Sequence, residues 1–123
     1  MDVKELTKRA VELASKDDEL KEKIKDTAAT IVMELTDLDD AYLTFSINKG
    51  ELKFSEGKPK EIDFQFEISK DDFTDLITGK KASMILMATK KLKMVKGSLA
   101  EIGKIATPLM AVPKFGKEIA KNG

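Results

Sequence analysis

The chain has no cysteine and no histidine among its 123 residues. The first absence rules out disulfides and thiol chemistry and gives no reason to expect an oxidising compartment. The second removes the commonest general base and metal ligand in one step. Arginine and tyrosine occur once each, as Arg9 and Tyr42. A nucleic-acid surface needs stacking aromatics and bidentate guanidinium groups, so nucleic acid is not an expected partner. Long apolar runs are also missing: nothing approaches the roughly 18 residues that would span a bilayer. The first twenty residues are charged throughout, unlike a signal peptide, and the terminal Ala-Lys-Asn-Gly is no peroxisomal address. The expectation is a cytoplasmic chain forming one domain over residues 1–123, long enough to bury a core unaided.

Chemistry-bearing motifs are equally scarce. There is no glycine-rich phosphate loop, no nucleophile elbow and no metal-ligand cluster. The acidic pairs Asp17/Asp18 and Asp71/Asp72 stand where helices start, and negative charge there favours the helix dipole. Asp37, Asp39 and Asp40 read as a turn between strands. A ketosteroid isomerase-like site built from Tyr42 and Asp63 in an apolar cavity is conceivable chemically, but the spacing gives it no specific support. No catalytic residue, metal or cofactor is expected.

What the sequence does contain is an uneven distribution of charge and grease. The net charge is zero, yet residues 1–75 hold 20 acids and 12 bases, whereas residues 76–123 hold 2 acids and 10 lysines. Ala82 to Gly97, "ASMILMATKKLKMVKG", has no acid at all. Met84, Met87, Met94 and Met110 are four of the six methionines. Methionine is flexible and polarizable, so it suits a surface that repacks around ligands, and it also fills ordinary cores.

Periodicity organises the chain as α+β. Val3, Leu6, Ala10 and Leu13 recur at helical spacing, and a second helix restarts with Ser15 as N-cap and Leu20, Ile24 and Ala28 as its inner stripe. The period then becomes two. Ile31, Met33 and Leu35, then Ala41, Leu43, Phe45 and Ile47, then Leu52 and Phe54 beyond an Asn48-Lys49-Gly50 turn, then Ile62, Phe64, Phe66 and Ile68 predict four strands in a meander. Such alternation implies an antiparallel sheet with one apolar and one polar face. Ser69 with Asp72 predicts a capping box for a helix whose inner face is Phe73, Leu76 and Ile77 and which Gly79 ends. A short helix over "ASMILMA", a fifth strand over "KKLKMVK" and a last helix from Ser98 to Phe115, interrupted near Pro108 and Pro113, complete the order.

That order resembles the sterol carrier protein 2 (SCP2-like) lipid-binding family. The residue-level likeness is strongest over "DDFTDLITGKKASMILMATKKLKMVKGS", with its acidic-aromatic helix start, Thr-Gly-Lys turn, apolar stretch and Lys-Leu-Lys strand. It departs from the family pattern in lacking a glycine before the last strand, in carrying one extra residue before Gly97, which predicts a bulge, and in having Ser98 where Asp is common. The resemblance implies a five-stranded, mainly antiparallel twisted sheet covered by helices, with an apolar tunnel between the sheet and the C-terminal helices. It implies non-enzymatic binding, and intracellular transfer, of a fatty acid, fatty acyl-CoA, phospholipid or sterol-like molecule. The residues assigned to the tunnel are Phe45, Phe64, Phe66, Phe73, Ile77, Met84, Met87, Ile102, Ile105, Ala106, Leu109 and Met110, each of which also reads as ordinary core.

Lys90, Lys91, Lys93 and Lys96 have three readings: the solvated side of the fifth strand, steering toward an anionic membrane, or contact with the phosphates of an acyl-CoA. Pro108, Pro113, Gly103 and Gly116 weaken the last helix, which suggests a gate near Thr107 to Phe115. The alternative to lipid binding is a protein-interaction or self-association module whose apolar stripe meets a partner or its own copy.

Overall fold

The computed structural model describes residues 2–122, so the two ends of the expected 1–123 domain, Met1 and Gly123, lie outside the described residues. Helix α1 (Val3–Ser15) is capped by Asp2, whose carboxylate accepts from the Glu5 amide at 2.8 Å. Its buried side chains are Val3, Leu6, Thr7, Ala10, Val11 and Ala14. The stripe closes on Ala14, and Leu13, expected to be internal, is 43% exposed, because 3.6 residues per turn carries position 13 off the face set by residues 3, 6 and 10. Thr7 is fully buried without cost to satisfaction, its Oγ1 donating to the Val3 carbonyl at 2.7 Å.

Helix α2 (Asp18–Lys23) is shorter than expected and is capped by Asp17, which accepts from the Leu20 amide at 3.1 Å. Ser15 instead closes α1, its hydroxyl donating to the Glu12 carbonyl. Ala28 leaves the helix and opens strand β1 (Ala28–Leu35), where it pairs with Asn48. The Thr- and β-branched-rich run that follows favours pleated structure.

Strands β2 (Tyr42–Asn48) and β3 (Glu51–Glu56) follow β1 as antiparallel neighbours. The tight hairpin between them has positive φ at both Lys49 and Gly50, the conformation whose twist matches paired strands. Its amides donate to the Thr27 and Ile24 carbonyls, which ties the hairpin tip to the end of α2. Phe45 and Phe54 face one another across this pair with ring centroids 5.6 Å apart.

Strand β4 (Phe64–Ile68) corrects the meander. It pairs in parallel with β1, from Ile31↔Phe64 to Leu35↔Ile68, giving the order β3-β2-β1-β4-β5. Residues 57–63 must therefore cross from the β3 edge to the far side of β1. The crossing begins on the polar face, where the Thr44 hydroxyl donates to the Gly57 carbonyl and the Lys58 ammonium lies 5.5 Å from the Tyr42 ring. It ends where the Asp63 carboxylate accepts from the Thr30 amide at 2.8 Å. Val32 and Ile62 are buried yet belong to no part of the main core, as expected for side chains under or within this strap.

Helix α3 (Lys70–Ile77) begins at the expected cap, with Ser69 accepting from the Asp72 amide. Asp37 of the β1–β2 turn adds a second acceptor, to the Lys70 amide at 2.8 Å. Helix α4 (Ser83–Ala88) has no side-chain cap. Strand β5 (Lys93–Lys96) pairs antiparallel with β4, and the register jumps from Phe66↔Met94 to Gln65↔Lys96. Val95 is thus the extra residue of the expected bulge. Gly97, at φ 120°, follows because a Cβ there would come within 2.6 Å of the Phe64 ring.

The last helix, α5 (Gly103–Asn122), differs from the expectation at both ends and in the middle. Residues 99–102 are turns, and one helix runs on through Pro108 and Pro113 to Asn122. Each proline removes an amide, so the carbonyls of Lys104 and Leu109 lose their helical donors. The helix survives because tertiary packing holds it: α5 lies against α1, α2 and α3, and Gly116 permits backbone contact with Ile77 at the end of α3. Sheet and helices together enclose one apolar core, centred on Phe66, Phe73, Met33, Leu43, Ile68, Leu86 and Ile105.

Candidate functional site

Helix α5 is apolar on more than one side, which a helix lying on a core does not require. Ile105, Pro108, Val112 and Gly116 are buried and stand at the three- and four-residue spacing of an inner face. Ala106, Leu109, Met110 and Pro113 line a groove on another side, together with Ile102 in the turn before the helix. The broad stripe read from the sequence is therefore two faces with two tasks.

The groove has a volume of about 560 Å³ and lies between α5, the turn at Leu99 and the segment from Leu76 through α4 to Met87. This falls inside the range of about 300–1,000 Å³ typical of small-molecule sites. Met84, Met87, Leu99, Ile102, Ala106, Leu109 and Met110 supply most of its apolar wall. Its charged lining residues are all lysines, Lys81, Lys114 and Lys117. Lys81 is already engaged, 3.5 Å from Asp75 and 3.9 Å from Asp72. Lys114 and Lys117 make no ion pair within 4 Å among the described residues.

A second space lies deeper, between the sheet and α5, and is only about 40 Å³. Ile31, Met33, Phe45, Ile47 and Leu52 form its floor; Phe73, Leu76 and Ile77 wall it, and Pro108, Leu109, Val112 and Pro113 roof it. A lining without polar groups offers water no partners, so the space is expected to be dry. Leu76, Leu109 and Pro113 line both spaces and form the partition between them.

The residues assigned to one tunnel are thus distributed over three places. Phe45, Phe73 and Ile77 border the deep void; Met84, Met87, Ile102, Ala106 and Met110 border the groove; Leu109 borders both. Phe64, Phe66 and Ile105 border neither and are packed in the core, with Phe66 and Ile105 fully buried. Lys90, Lys91, Lys93 and Lys96 are all exposed and have no ion pair among the described residues, and none of them lines the groove. The rim lysines Lys114 and Lys117 were not singled out from the sequence. Their signal was present, at positions four and seven residues beyond Met110, on the groove side of the helix.

Among the described residues no cluster of acidic side chains is suited to hold a metal ion, and no buried side-chain polar atom lacks a partner. Asp63 is exposed and bonded to the Thr30 amide, while Tyr42 lies beneath Lys58 on the strap side of the sheet. Neither borders the groove or the void, so the pair has no apolar cavity in which to act. No described helix is long and apolar enough to cross a membrane.

The sequence matches the SCP-2 sterol transfer family over residues 8–109. Among solved structures, one of sterol carrier protein 2 superposes with a TM-score of 0.73 at 13% identity, over 93% of this chain and 95% of that one. Sterol carrier protein 2 from Yarrowia lipolytica, in its apo form, shares 26% identity over 92% of this chain and 85% of its own, with a TM-score of 0.57. Palmitated SCP2L2 from Aedes aegypti has a TM-score of 0.66 at 11% identity, over 89% of this chain and 95% of its own. No curated protein matches the sequence.

Proposed function

Since the chain belongs to the SCP-2 sterol transfer family, a family of lipid-binding and lipid-transfer domains, we propose that it holds the hydrocarbon of a lipid in the groove between α4 and α5. The observation that carries this reading is the groove itself: about 560 Å³ of mainly apolar wall whose charged lining, among the described residues, is Lys81, Lys114 and Lys117. Affinity comes from burial, at about 0.8 kcal/mol for each methylene removed from water. A single acyl chain with an anionic head fits the lining best. Its chain lies against Met84, Met87, Ile102 and Leu109, and its carboxylate or phosphate meets Lys114 and Lys117. The palmitate of the Aedes aegypti relative supports this choice of ligand class. A free fatty acid and a fatty acyl-CoA are the two members to be separated; sterol is part of the family's name and has no distinguishing support in the lining.

The activity proposed is binding and transfer without catalysis, in the cytoplasm, by residues 1–123 acting as one unit. Lys90, Lys91, Lys93 and Lys96 create a positive field for approach to anionic lipid. The alternative, a protein-interaction module without lipid, is not favoured by the family membership. Purification under native conditions, solvent extraction and mass spectrometry test the proposal. A near-stoichiometric fatty acid, acyl-CoA or phospholipid is expected. An empty extract, together with no binding of added palmitate or palmitoyl-CoA, would overturn it.

A further inference from the structure

Among the described residues seven large apolar side chains are exposed, and five of them, Met84, Ile85, Val95, Leu99 and Met110, lie between residues 84 and 110. Met84 is 80% exposed, Leu99 69% and Met110 68%, yet all three line the groove. They therefore form its lip, apolar toward the groove and apolar toward solvent. Ile85, 59% exposed, stands beside Met84 on α4 without lining the groove. No function has so far been given to that outward surface.

We propose that this lip is a membrane-docking surface that seats the mouth of the groove on an anionic bilayer. The proposal rests on the lipid-site reading above and adds the surface through which the ligand leaves. Charge selects the partner: from Leu76 to Gly123 the chain has 10 lysines and only Glu101 and Glu118 as acids. Lys80, Lys90 and Lys91 flank α4, are exposed and make no ion pair among the described residues. Lysines with long stems around protruding Met, Ile and Leu are the arrangement that lies in a headgroup layer, apolar tips down and ammonium groups among phosphates. A protein partner fits less well. The centres of protein interfaces are enriched in tyrosine, tryptophan and arginine, whereas this chain has no tryptophan, its one arginine is paired with Glu5 on α1, and its one tyrosine lies under Lys58. A ligand held behind Met84, Leu99 and Met110 then passes between groove and bilayer without crossing water.

The absence of tryptophan makes the test direct. Ile85→Trp places a single reporter on the lip, and Ser55→Trp places one on the opposite, polar face of the sheet. With vesicles of phosphatidylcholine, phosphatidylserine and bromine-labelled phosphatidylcholine, quenching and a blue shift are expected at position 85 and not at position 55. Lys90→Gln with Lys91→Gln is expected to weaken vesicle binding about fivefold per lysine, and Ile85→Glu about tenfold or more. Neither Ile85 nor Ser55 lines the groove, so uptake of a monomeric fluorescent fatty acid from buffer should be unchanged in the Ile85→Trp and Ser55→Trp proteins. Unquenched Trp at position 85, or undiminished vesicle binding by Ile85→Glu, with normal fatty-acid uptake, would overturn docking and leave the lipid site standing. Vesicle binding through the lip without any fatty-acid uptake would support docking and retire the lipid site. A dimer that buries position 85 and ignores vesicles would assign the lip to a second copy and refute the proposal.

Discussion

Replacing Gly116 by alanine sets two effects of known size against each other. In a helix interior alanine is favoured over glycine by about 1 kcal/mol, so propensity alone predicts a more stable protein. Packing predicts the reverse. A Cβ at position 116 would lie 2.9 Å from the Ile77 carbonyl carbon and closer still to its oxygen. Both atoms belong to the backbone at the end of α3 and have no rotamer by which to withdraw. Overpacking of this kind costs about 1–3 kcal/mol, and a rigid neighbour places the cost at the upper end. The net expectation is a loss of about 2 kcal/mol, lowering the Tm by roughly 6–10 °C for a chain of this size.

Gly103→Ala is the matched control, since a Cβ there meets nothing within 4 Å, and it should be neutral or slightly stabilising. Thermal unfolding followed by circular dichroism reads both. A Gly116→Ala protein as stable as the parent, or more stable, would refute the close seating of α5 on α3. Because Leu109 and Pro113 ride on the same helix, the displaced variant should also bind palmitate differently from the control.

Amide exchange should be faster over residues 107–115 than in β1 when no ligand is present, because Pro108 and Pro113 leave two carbonyls without helical donors; palmitate should slow it, and uniformly strong protection beforehand would remove the gate. Lys114→Gln and Lys117→Gln should each weaken palmitate binding about two- to fivefold, as for other exposed charge pairs, while binding of the neutral alcohol of equal length stays unchanged in the same titration. Ser69→Ala removes the hydroxyl that accepts from the Asp72 amide and should cost about 1 kcal/mol, measurable by urea unfolding; Asp37, which accepts from Lys70, makes the double substitution with Asp37→Ala the more damaging.

Much of the site was legible as residue type but not as location. Methionines and an amphipathic last helix announced surplus apolar surface, and the alternation of Phe45, Phe64 and Phe66 announced a sheet face. Whether Phe66 fills the core or borders a cavity depends on what lies opposite it, and that is a distance between elements far apart in the chain. Lys90, Lys91, Lys93 and Lys96 stand out in the sequence because four lysines fall within seven residues. Lys114 and Lys117 reach the groove alongside the already paired Lys81, since a helix presents side chains at three- and four-residue intervals and sequence density is a poor guide to which face they share.

By itself the sequence determined the local structure: the cap at Ser69, the Lys49-Gly50 hairpin, the alternating faces of β1 to β4 and the surplus residue in β5. Each depends on neighbours within a few positions, through backbone conformation or side-chain period. Only the tertiary structure decided that β4 lies parallel beside β1, because period-two alternation sets a strand's face and leaves its neighbour open. It also decided that α5 continues through two prolines, since lost hydrogen bonds are offset by packing on α1, α2 and α3. The division of one expected tunnel into a small void and an open groove has the same origin: it is set by where Leu76, Leu109 and Pro113 meet, and no local rule contains that meeting.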